Sequence, residues 1–277
     1  MSSAPFLLLS PALPSELLSY ILNHHVYPTT LIICSSRTDF LASLADDILR
    51  ESVGRDEVAS AKHSVGSSPP PPPPPPPDAP PEAHDNIKQE RDRRHEPHHH
   101  KLLSSPLYQV ATSRHIRVVY VPTVTHLRAY LTIFSPDDSR VPAPPAGFHS
   151  PGKCAPCIIL YGFLEMHHDT SEWSAQGLGD SASALVELGH RLSWQTIVIE
   201  PRKHGVASPF EDLLRENIPF LSGGGRRLGP DVEAGWTGRT VEVGRVMKRW
   251  FRFQLGGWDD INSDDERNVS AGKQSEL

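Results

Sequence analysis

TLIICSSRTDFLASLADDILR, residues 30–50, is the stretch that decides the fold class of this chain. Its first part, Thr30–Cys34, is apolar and rich in β-branched residues, which predicts a buried strand. A polar turn follows at Ser35-Ser36-Arg37-Thr38. Residues Asp39–Arg50 then repeat apolar side chains at helical spacing, which predicts a helix with one buried stripe.

The same alternation of strand and helix recurs along the chain. Further strands are predicted at Ile116–Val121, Cys157–Tyr161 and Thr196–Glu200, and further helices at Ser15–Asn23, 102–112, Thr125–Phe134 and Ser181–Leu192. Strands that alternate with helices favour an α/β fold, in which right-handed crossovers place helices on both faces of a mostly parallel sheet. The tail differs, since Arg239–Val243 and Arg245–Leu255 predict two strands joined at Gly244, an antiparallel hairpin at the sheet edge.

Composition divides the chain into four parts. Residues 53–100 contain an unbroken proline run, Pro69–Pro77, and then a mixed-charge stretch. Such a segment buries too little apolar area to offset the entropy of ordering, so we expect a disordered insertion. The folded domain is predicted in two pieces, residues 1–52 and 101–255, and residues 256–277 are predicted to be a disordered acidic tail.

The class of the protein is bounded by what the 277 residues lack. Three cysteines give no disulfide framework, which favours a reducing compartment. No stretch approaches the roughly 18 apolar residues that cross a bilayer, so no membrane is expected as a partner. Pro5, Pro11 and Pro14 interrupt the apolar N-terminal run, which also lacks basic residues, and we therefore expect no signal peptide.

The turn Ser35–Thr38 is also informative because it lacks the residues of a phosphate-binding loop. Nucleotide-binding domains of the P-loop class carry G-x-x-x-x-G-K-[ST] between strand and helix, where backbone N–H groups and a lysine meet phosphate. This chain has no glycine between Met1 and Val53 and no lysine before Lys62. Either the turn belongs to an ordinary α/β domain, or it belongs to a P-loop scaffold without its phosphate cradle.

Three places in the chain resemble the core of RecA-like recombinases. TLIICSSRTDF lies where the phosphate loop would be, and CIILYGFLEMH lies where the second nucleotide motif would end in aspartate. The run Leu228-Gly229, Trp236, Val243 and Arg249 is similar to the segment before the closing strand of recombinase paralogues. The resemblance covers residues 28–50 and 101–255 and implies a RecA-like sheet.

The departures from that family are as specific as the likeness. Tyr161 and Gly162 stand where the acidic residue that orients Mg²⁺ and water would be, and Ser35, Ser36, Arg37 and Thr38 replace the phosphate loop. The resemblance therefore implies a paralogue without ATPase activity, with no catalytic residue and no cofactor, that binds other RecA-like subunits. Two groups fit, ranked in this order: Shu-type paralogues, which assist homologous recombination in the nucleus, and the RecA-like Elongator accessory subunits, which act on tRNA in the cytoplasm. A small α/β enzyme with an unrecognised site is a third hypothesis.

The loop after strand Thr196–Glu200 is the predicted nucleic-acid surface. It carries Arg202 and Lys203, then three glycines followed by Arg226 and Arg227. In the resembling fold this loop contacts DNA, and arginine and lysine pair with phosphate. Single-stranded DNA is therefore a candidate partner. The alternative is a solvated loop whose charges recognise nothing.

Aromatic residues supply the predicted protein interface. Trp173 lies in a loop before a helix, where it either packs under that helix or contacts a partner. In the closing strand, alternation predicts that Phe251 and Phe253 face the core and that Trp250 and Arg252 face outward, toward a partner subunit.

No metal site is predicted. The C-x-x-C pair Cys154 and Cys157 runs into a strand and lacks two further ligands. His167 and His168 are adjacent, which disfavours joint ligation in a strand. Ser-based hydrolysis is also disfavoured, because no G-x-S-x-G turn follows a strand.

Overall fold

The computed structural model describes residues 6–24, 27–63, 102–103, 107–145, 156–202, 209–220 and 239–255. The chain divides into two compact units. The first comprises Met1–Leu44 with Pro106–Leu277, and it contains every strand among the described residues. The second, Ala45–Ser105, contains the C-terminal part of one long helix.

The described elements alternate as the sequence predicts. The strands are β1 (Phe6–Leu9), β2 (Thr29–Ile33), β3 (Ile116–Tyr120), β4 (Cys157–Tyr161), β5 (Gln195–Ile199), β6 (Asn217–Pro219), β7 (Thr240–Glu242) and β8 (Arg252–Gln254). The helices are α1 (Pro14–His24), α2 (Arg37–His63), α3 (Leu107–Ser113), α4 (Val124–Ile133), α5 (Phe163–His167), α6 (Ala175–Leu192), α7 (Pro209–Arg215) and α8 (Val243–Met247).

Six strands form one sheet in the order β3-β2-β4-β5-β1-β8, and every neighbouring pair in it is parallel. A separate pair, β6 and β7, is antiparallel. The prediction of an α/β fold with a mostly parallel sheet is confirmed. The central strands β2 and β4 are buried at every position, as expected for parallel strands that are covered on both faces.

Helices cover both faces of the sheet. Alternate residues of the strands, such as Ile33 and Tyr161, pack with Leu17 and Ile21 of α1 and Phe40 of α2. The residues between them in the strands point the other way. They form the larger cluster with α4 and α6, together with Phe163 and Leu164 of α5. The carboxyl ends of β1, β2, β4 and β5 thus lie side by side between two helical layers.

Three sequence predictions about these elements need correction. Strand β1 was not predicted, so β2 is not the first strand of the sheet. The predicted tail hairpin is wrong: Gly244 lies inside α8, β7 pairs with β6, and β8 joins the main sheet parallel to β1. Helix α1 begins one residue before its predicted start, at Pro14, and ends one residue after its predicted end, at His24.

The boundary predicted at residue 53 falls inside a helix. Helix α2 continues to His63, so the first part of the predicted disordered insertion is helical. The proline run and the acidic tail lie outside the described residues.

Candidate functional site at the carboxyl edge of the sheet

The carboxyl edge, by which we mean residues 10–13, 34–36, 162 and 200–202 after β1, β2, β4 and β5, is where an open parallel sheet binds ligands. The right-handed crossovers leave the edge in different directions, which opens crevices between strand ends. In this chain the crevices are filled by the protein itself, as the following contacts show.

Glu200 occupies the space after β5. Its side chain is 3% exposed. The carboxylate oxygens accept hydrogen bonds from the backbone N–H groups of Leu164, at 2.8 Å, and Glu165, at 3.3 Å. These N–H groups belong to the first turn of α5, where a helix has donors without partners in the helix. Glu200 therefore caps α5 from a distant strand.

Burial changes the proton affinity of this carboxyl group. Loss of water raises the pKa of Glu200 to about 8, although its backbone hydrogen bonds to α5 act in the opposite direction. Glu200 is thus mostly protonated at neutral pH. Burial also raises the pKa of the neighbouring Cys34 thiol well above its usual value, with the charge of Glu200 as a second cause, so Cys34 is a poor nucleophile.

Backbone contacts draw the β1–α1 turn against β5. The N–H of Ala12 donates to the carbonyl of Glu200, and the N–H of Arg202 donates to the carbonyl of Ala12, both at 2.9 Å. The hydroxyl of the buried Tyr161 donates to the same Ala12 carbonyl at 2.9 Å. Tyr161 thus uses its polar atom inside the protein. The backbone groups of Ala12 are unavailable to a ligand.

Gly162 makes the sharp turn from β4 into α5. Its φ is +85°, a conformation that glycine adopts without the strain imposed by a side chain. Its N–H donates to the carbonyl of Ile199 at 2.9 Å, which ties the turn to β5. Tyr161 and Gly162, singled out in the sequence for lacking an acidic residue, therefore hold the edge together.

The start of α1 carries its own carboxylate. The N–H of Leu13 donates to Glu16 Oε2 at 2.8 Å. The other carboxylate oxygen of Glu16 forms an ion pair with Arg202. Pro11 and Pro14 have no N–H to offer. An anion approaching this helix would meet Glu16 and few donors.

The start of α2 is closed in a similar way. Ser36 Oγ accepts from the N–H of Asp39 at 3.1 Å and lies 2.6 Å from Asp39 Oδ2, to which it donates. Thr38 Oγ1 lies 2.8 Å from Ser36 Oγ. Ser35 is part-buried and Arg37 is exposed. The predicted degenerate phosphate loop is thus a helix cap that includes a carboxylate.

Three helices that begin at this edge, α1, α2 and α5, therefore each have an acidic side chain at their N-terminus. The fourth, α4 after β3, is capped by the Thr123 hydroxyl, which accepts from the N–H of His126 at 3.2 Å. Helix N-termini attract anions because their donors and dipole are positive. Here the protein's own carboxyl groups use that attraction, which disfavours phosphate binding.

A serine and a histidine do meet elsewhere in the fold. Ser181 Oγ lies 2.9 Å from His167 Nε2, and the other ring nitrogen, Nδ1, is 2.7 Å from the carbonyl of Phe163, which fixes the proton on Nδ1. Ser181 Oγ also accepts from Arg128 Nε at 2.9 Å. Desolvation lowers the pKa of His167 to about 4, so the ring is neutral at neutral pH.

This pair has no access to substrate. His167 and Ser181 are both 0% exposed. Arg128 continues the network by donating to Glu172 Oε2 at 2.6 Å and to the carbonyl of Gly177 at 2.8 Å. The four side chains join α4, α5 and α6 and the loop between the last two, so their role is structural.

The predicted interface residues lie in different settings. Trp173 is half-buried, and its Nε1–H donates to Glu216 Oε1 at 2.8 Å. Trp250 does not face away from the core as predicted: it packs against the same cluster as Phe251 and Phe253. It lies in the turn before β8, where strand alternation does not apply. Arg252 is exposed at the sheet edge, as predicted.

Of the four predicted nucleic-acid residues, the structure describes only Arg202. Arg202 lies at the carboxyl edge, paired with Glu16. Lys203, Arg226 and Arg227 lie outside the described residues, as does Cys154. Cys157 is the buried first residue of β4.

Sequence reasoning missed Glu200, the residue that organises the edge. A usable signal was present: an acidic residue directly after an apolar strand. Within the described parts of the chain, no three His, Cys, Asp or Glu side chains are placed to hold a metal ion. No helix there has the length and apolar composition needed to cross a membrane.

Comparisons with known proteins add little to this geometry. No family model matches the chain, and no curated protein matches it. One similar solved structure is that of a DnaB-like replicative helicase, described with its interactions with primase. It has a TM-score of 0.32 and 10% identity over 73% of this chain, and the match spans 40% of the helicase chain. A likeness at that level identifies neither a family nor a function.

Proposed function

We propose that this chain is a non-catalytic RecA-like subunit that acts through protein partners in DNA repair by homologous recombination. One observation carries the non-catalytic part. At the carboxyl edge, three helix N-termini are occupied by acidic side chains of the protein itself, those of Glu16, Asp39 and Glu200. This edge is where a nucleotide would have to bind.

The chemistry of nucleotide binding explains how that observation supports the proposal. A bound triphosphate needs free backbone donors, a cation for its charge and a carboxylate that holds Mg²⁺. The donors of Leu13, Leu164 and Glu165 already serve carboxyl groups. Glu200 is buried and mostly protonated, whereas metal binding requires an accessible, ionised carboxylate.

The RecA-like and recombination parts of the proposal are supported by the sequence resemblance. Strand β1 adds a second position, the turn 10–13, at which a phosphate loop could have been placed, and this turn also lacks glycine and lysine. In the recombinase-like tail run, Val243 is buried in α8 and Arg249 follows that helix. Leu228, Gly229 and Trp236 lie outside the described residues.

The partner surface that we propose is the β8 edge of the sheet. β8 pairs with β1 on one side, and among the described strands no other pairs with it. Arg252 is exposed on it. Sheet edges offer unpaired backbone groups to another chain. Trp173 and Trp250 are less suited to the contact than predicted, since both are partly buried against the core cluster.

Nucleotide binding is the most direct test. We expect that purified full-length protein neither binds a fluorescent ATP analogue in the presence of Mg²⁺ nor hydrolyses ATP above background. The matched variant Glu16→Gln keeps an acceptor for Leu13 but removes the charge, and it should not bind ATP either, because no cation or metal ligand replaces the missing motifs. ATP turnover at ordinary rates would contradict the proposal.

The biological class is tested by affinity purification of the tagged full chain followed by mass spectrometry. Recombination proteins in the eluate support the proposal, whereas Elongator subunits support the alternative role in tRNA modification. Binding to single-stranded DNA and to tRNA, compared with and without charge reversal at Arg226 and Arg227, separates the same two classes. Affinities unchanged by the reversal would remove that loop from the proposal.

A further inference from the structure

The six-stranded sheet has two outer strands, β3 and β8, which differ in what they offer to another chain. Natural sheets limit pairing at their edges with short strands, charged side chains and proline. β8 has three residues, and Arg252 is exposed on it. β3 has five residues, Ile116–Tyr120, without proline or glycine. Of the two strands, β3 is therefore the less protected, and we call its free side the β3 edge.

The backbone of β3 has hydrogen-bonding groups along this free side. The N–H of Val121 donates to the carbonyl of Ile33 in β2 at 2.9 Å. Backbone groups of successive strand residues point to opposite sides, so those of Ile116, Val118 and Tyr120 point away from β2. Among the described strands, only β2 pairs with β3. In this part of the chain the outward groups therefore have no strand partner.

Val118 is the exposed side chain at the centre of the β3 edge. Ile116 and Tyr120, two residues away on either side, pack against the cluster that includes α1 and α2. Alternate side chains of a strand share a face, so Val118 lies on the same face, but it is 45% exposed. The middle of the edge thus combines an apolar, β-branched side chain with outward N–H and carbonyl groups.

The one charge in β3 is held on the other face. Arg117 lies near the amino end of the strand, at what we call the amino edge of the sheet, and shares a face with Val119. Its Cζ lies 5.3 Å from the centre of the Phe134 ring and 5.7 Å from that of Tyr130. Arg117 therefore contacts aromatic residues at the end of α4, and its charge does not guard the β3 edge.

The residues of β3 complement a second copy of themselves. In an antiparallel pair with a twofold axis at Val118, this residue faces its counterpart, and Ile116 faces Tyr120 of the second copy. Arg117 faces Val119 of the second copy, so no like charges lie directly opposite each other. In this register the outward N–H and carbonyl groups exchange up to about six hydrogen bonds.

We propose that the β3 edge binds the β3 edge of a second copy of this chain, antiparallel and centred on Val118, so that two sheets join into one. The contact lies at the opposite side of the sheet from the partner surface at β8, and it does not depend on a role in recombination. A pair of short strands buries an area at the low end of protein interfaces, roughly below 1,200 Å². We therefore expect a dissociation constant of about 1–100 µM.

Sedimentation velocity of the full-length protein measures the association. Over a concentration range of about 1–300 µM, the mass should rise from that of a monomer to that of a dimer, because a twofold contact closes on itself. A protein that stays monomeric over this range contradicts the proposal.

Charge at position 118 assigns the contact to one residue. Val118→Lys and Val118→Glu each remove an apolar contact and place like charges face to face, and each should weaken the dimer at least about tenfold. An equal mixture of the two variants sets lysine against glutamate and should restore association. The control Leu255→Lys adds the same charge at a similarly exposed apolar residue, directly after β8, and should leave the dimer unchanged.

Amide hydrogen exchange reports the strand pairing itself. The outward N–H groups of Ile116, Val118 and Tyr120 should exchange more slowly as the protein concentration rises, because the dimer protects them. The N–H of Val119 points toward β2 and should be protected at every concentration. This alternation distinguishes strand pairing from association through another surface.

Three further results would overturn the proposal. They are a Val118→Lys dimer as stable as the wild-type dimer, a mixture of the two charged variants that associates no better than either alone, and outward amides whose exchange does not depend on concentration. If a charged variant fails to fold, sedimentation and hydrogen exchange of the wild-type protein still decide the question.

Discussion

The two ends of the parallel sheet differ in how the protein compensates an ionisable side chain. At the carboxyl edge, the buried carboxyl group of Glu200 is fully engaged by backbone N–H groups of α5. At the amino edge, the guanidinium of Arg117 rests on aromatic rings and has no carboxylate partner among the described residues. The end where sheets of this type usually bind ligands is closed, and the opposite end has an available charge.

The difference shows that contacts within the protein occupy the edge of the sheet at which ligands usually bind. Three carboxyl groups take over the helix N-termini that would otherwise attract an anion, and a proline-rich turn removes donors beside them. These contacts stabilise the fold and occupy donors that a phosphate would need. Mutations of charged residues at the carboxyl edge should therefore cost more stability than those at the amino edge.

Glu200→Ala should have the largest effect on stability. It leaves the buried N–H of Leu164 and the partly buried N–H of Glu165 without the Glu200 acceptor, at a cost of roughly 2–4 kcal/mol in the free energy of unfolding. Glu200→Gln keeps an acceptor of the same shape and should cost about 1 kcal/mol or less. Urea denaturation of both variants measures the difference. Equal losses would show that the cap is not what Glu200 contributes.

The pH dependence of stability should carry the signature of the same residue. Glu200 has a folded-state pKa of about 8 against an ordinary value of 4.5, so its stabilising contribution is complete below pH 4.5 and is lost as the pH rises to about 8. His167 acts in the opposite sense: with a pKa lowered from 6.5 to about 4, its contribution is complete above pH 6.5 and is lost as the pH falls.

The two contributions oppose each other between about pH 4.5 and 6.5, and of the two only that of Glu200 changes from there to about pH 8. In that upper window, its ionisation should lower the free energy of unfolding by up to about 1.4 kcal/mol per pH unit. Glu200→Gln should remove this slope. Parallel urea titrations across the window check it, and identical slopes for wild type and variant would contradict a neutral, buried Glu200.

Gly162→Ala should cost about 1 kcal/mol, because alanine is strained at a φ of +85°. Space is not the cause, since an added Cβ would lie 3.5 Å from Pro201 and 3.7 Å from Cys34, both ordinary contacts. The matched control is Gly179→Ala within α6, where an added Cβ meets nothing within 4 Å. That change should be neutral or stabilising by up to about 1 kcal/mol.

Chemical denaturation of the two glycine variants tests this pair. A loss at Gly179 equal to that at Gly162 would show that the turn conformation does not matter.

The sequence predicts the sheet better than it predicts the edge. β4 is a five-residue apolar strand, and its pattern alone predicts its bounds. β1 has only four residues among prolines, and it is a strand because β5 and β8 pair with it on either side. The prediction of a tail hairpin was also wrong because tertiary contacts override the local pattern. Gly244 was interpreted as a turn residue, but in the fold it lies within α8.

The sequence could single out Glu200 as an acidic residue after an apolar strand, but not its capping role, because the groups that it caps lie far away in sequence. The N–H groups that it caps belong to a five-residue helix that begins 37 positions earlier, at Phe163. A helix of that length has no periodicity to detect. The buried state of the carboxyl group depends on β4 and β5 lying side by side, which is a tertiary fact.

The smallest effects on stability should come from the two arginines that lie at opposite ends of the sheet. Arg202→Gln breaks a partly exposed ion pair with Glu16 and should cost at most about 0.5 kcal/mol, because solvent screens such pairs. Arg117→Gln loses stacking on Phe134 and Tyr130 and should cost about 0.5–1 kcal/mol. Urea denaturation at low and high salt measures both.

The salt dependence separates the two variants. No described carboxylate is left unpaired when Arg117 is replaced, so the stability lost in Arg117→Gln should not depend on salt. The stability lost in Arg202→Gln should shrink as salt is added. A loss above about 2 kcal/mol for Arg117→Gln would mean that this side chain supports the fold as Glu200 does, and the contrast between the two edges would fail.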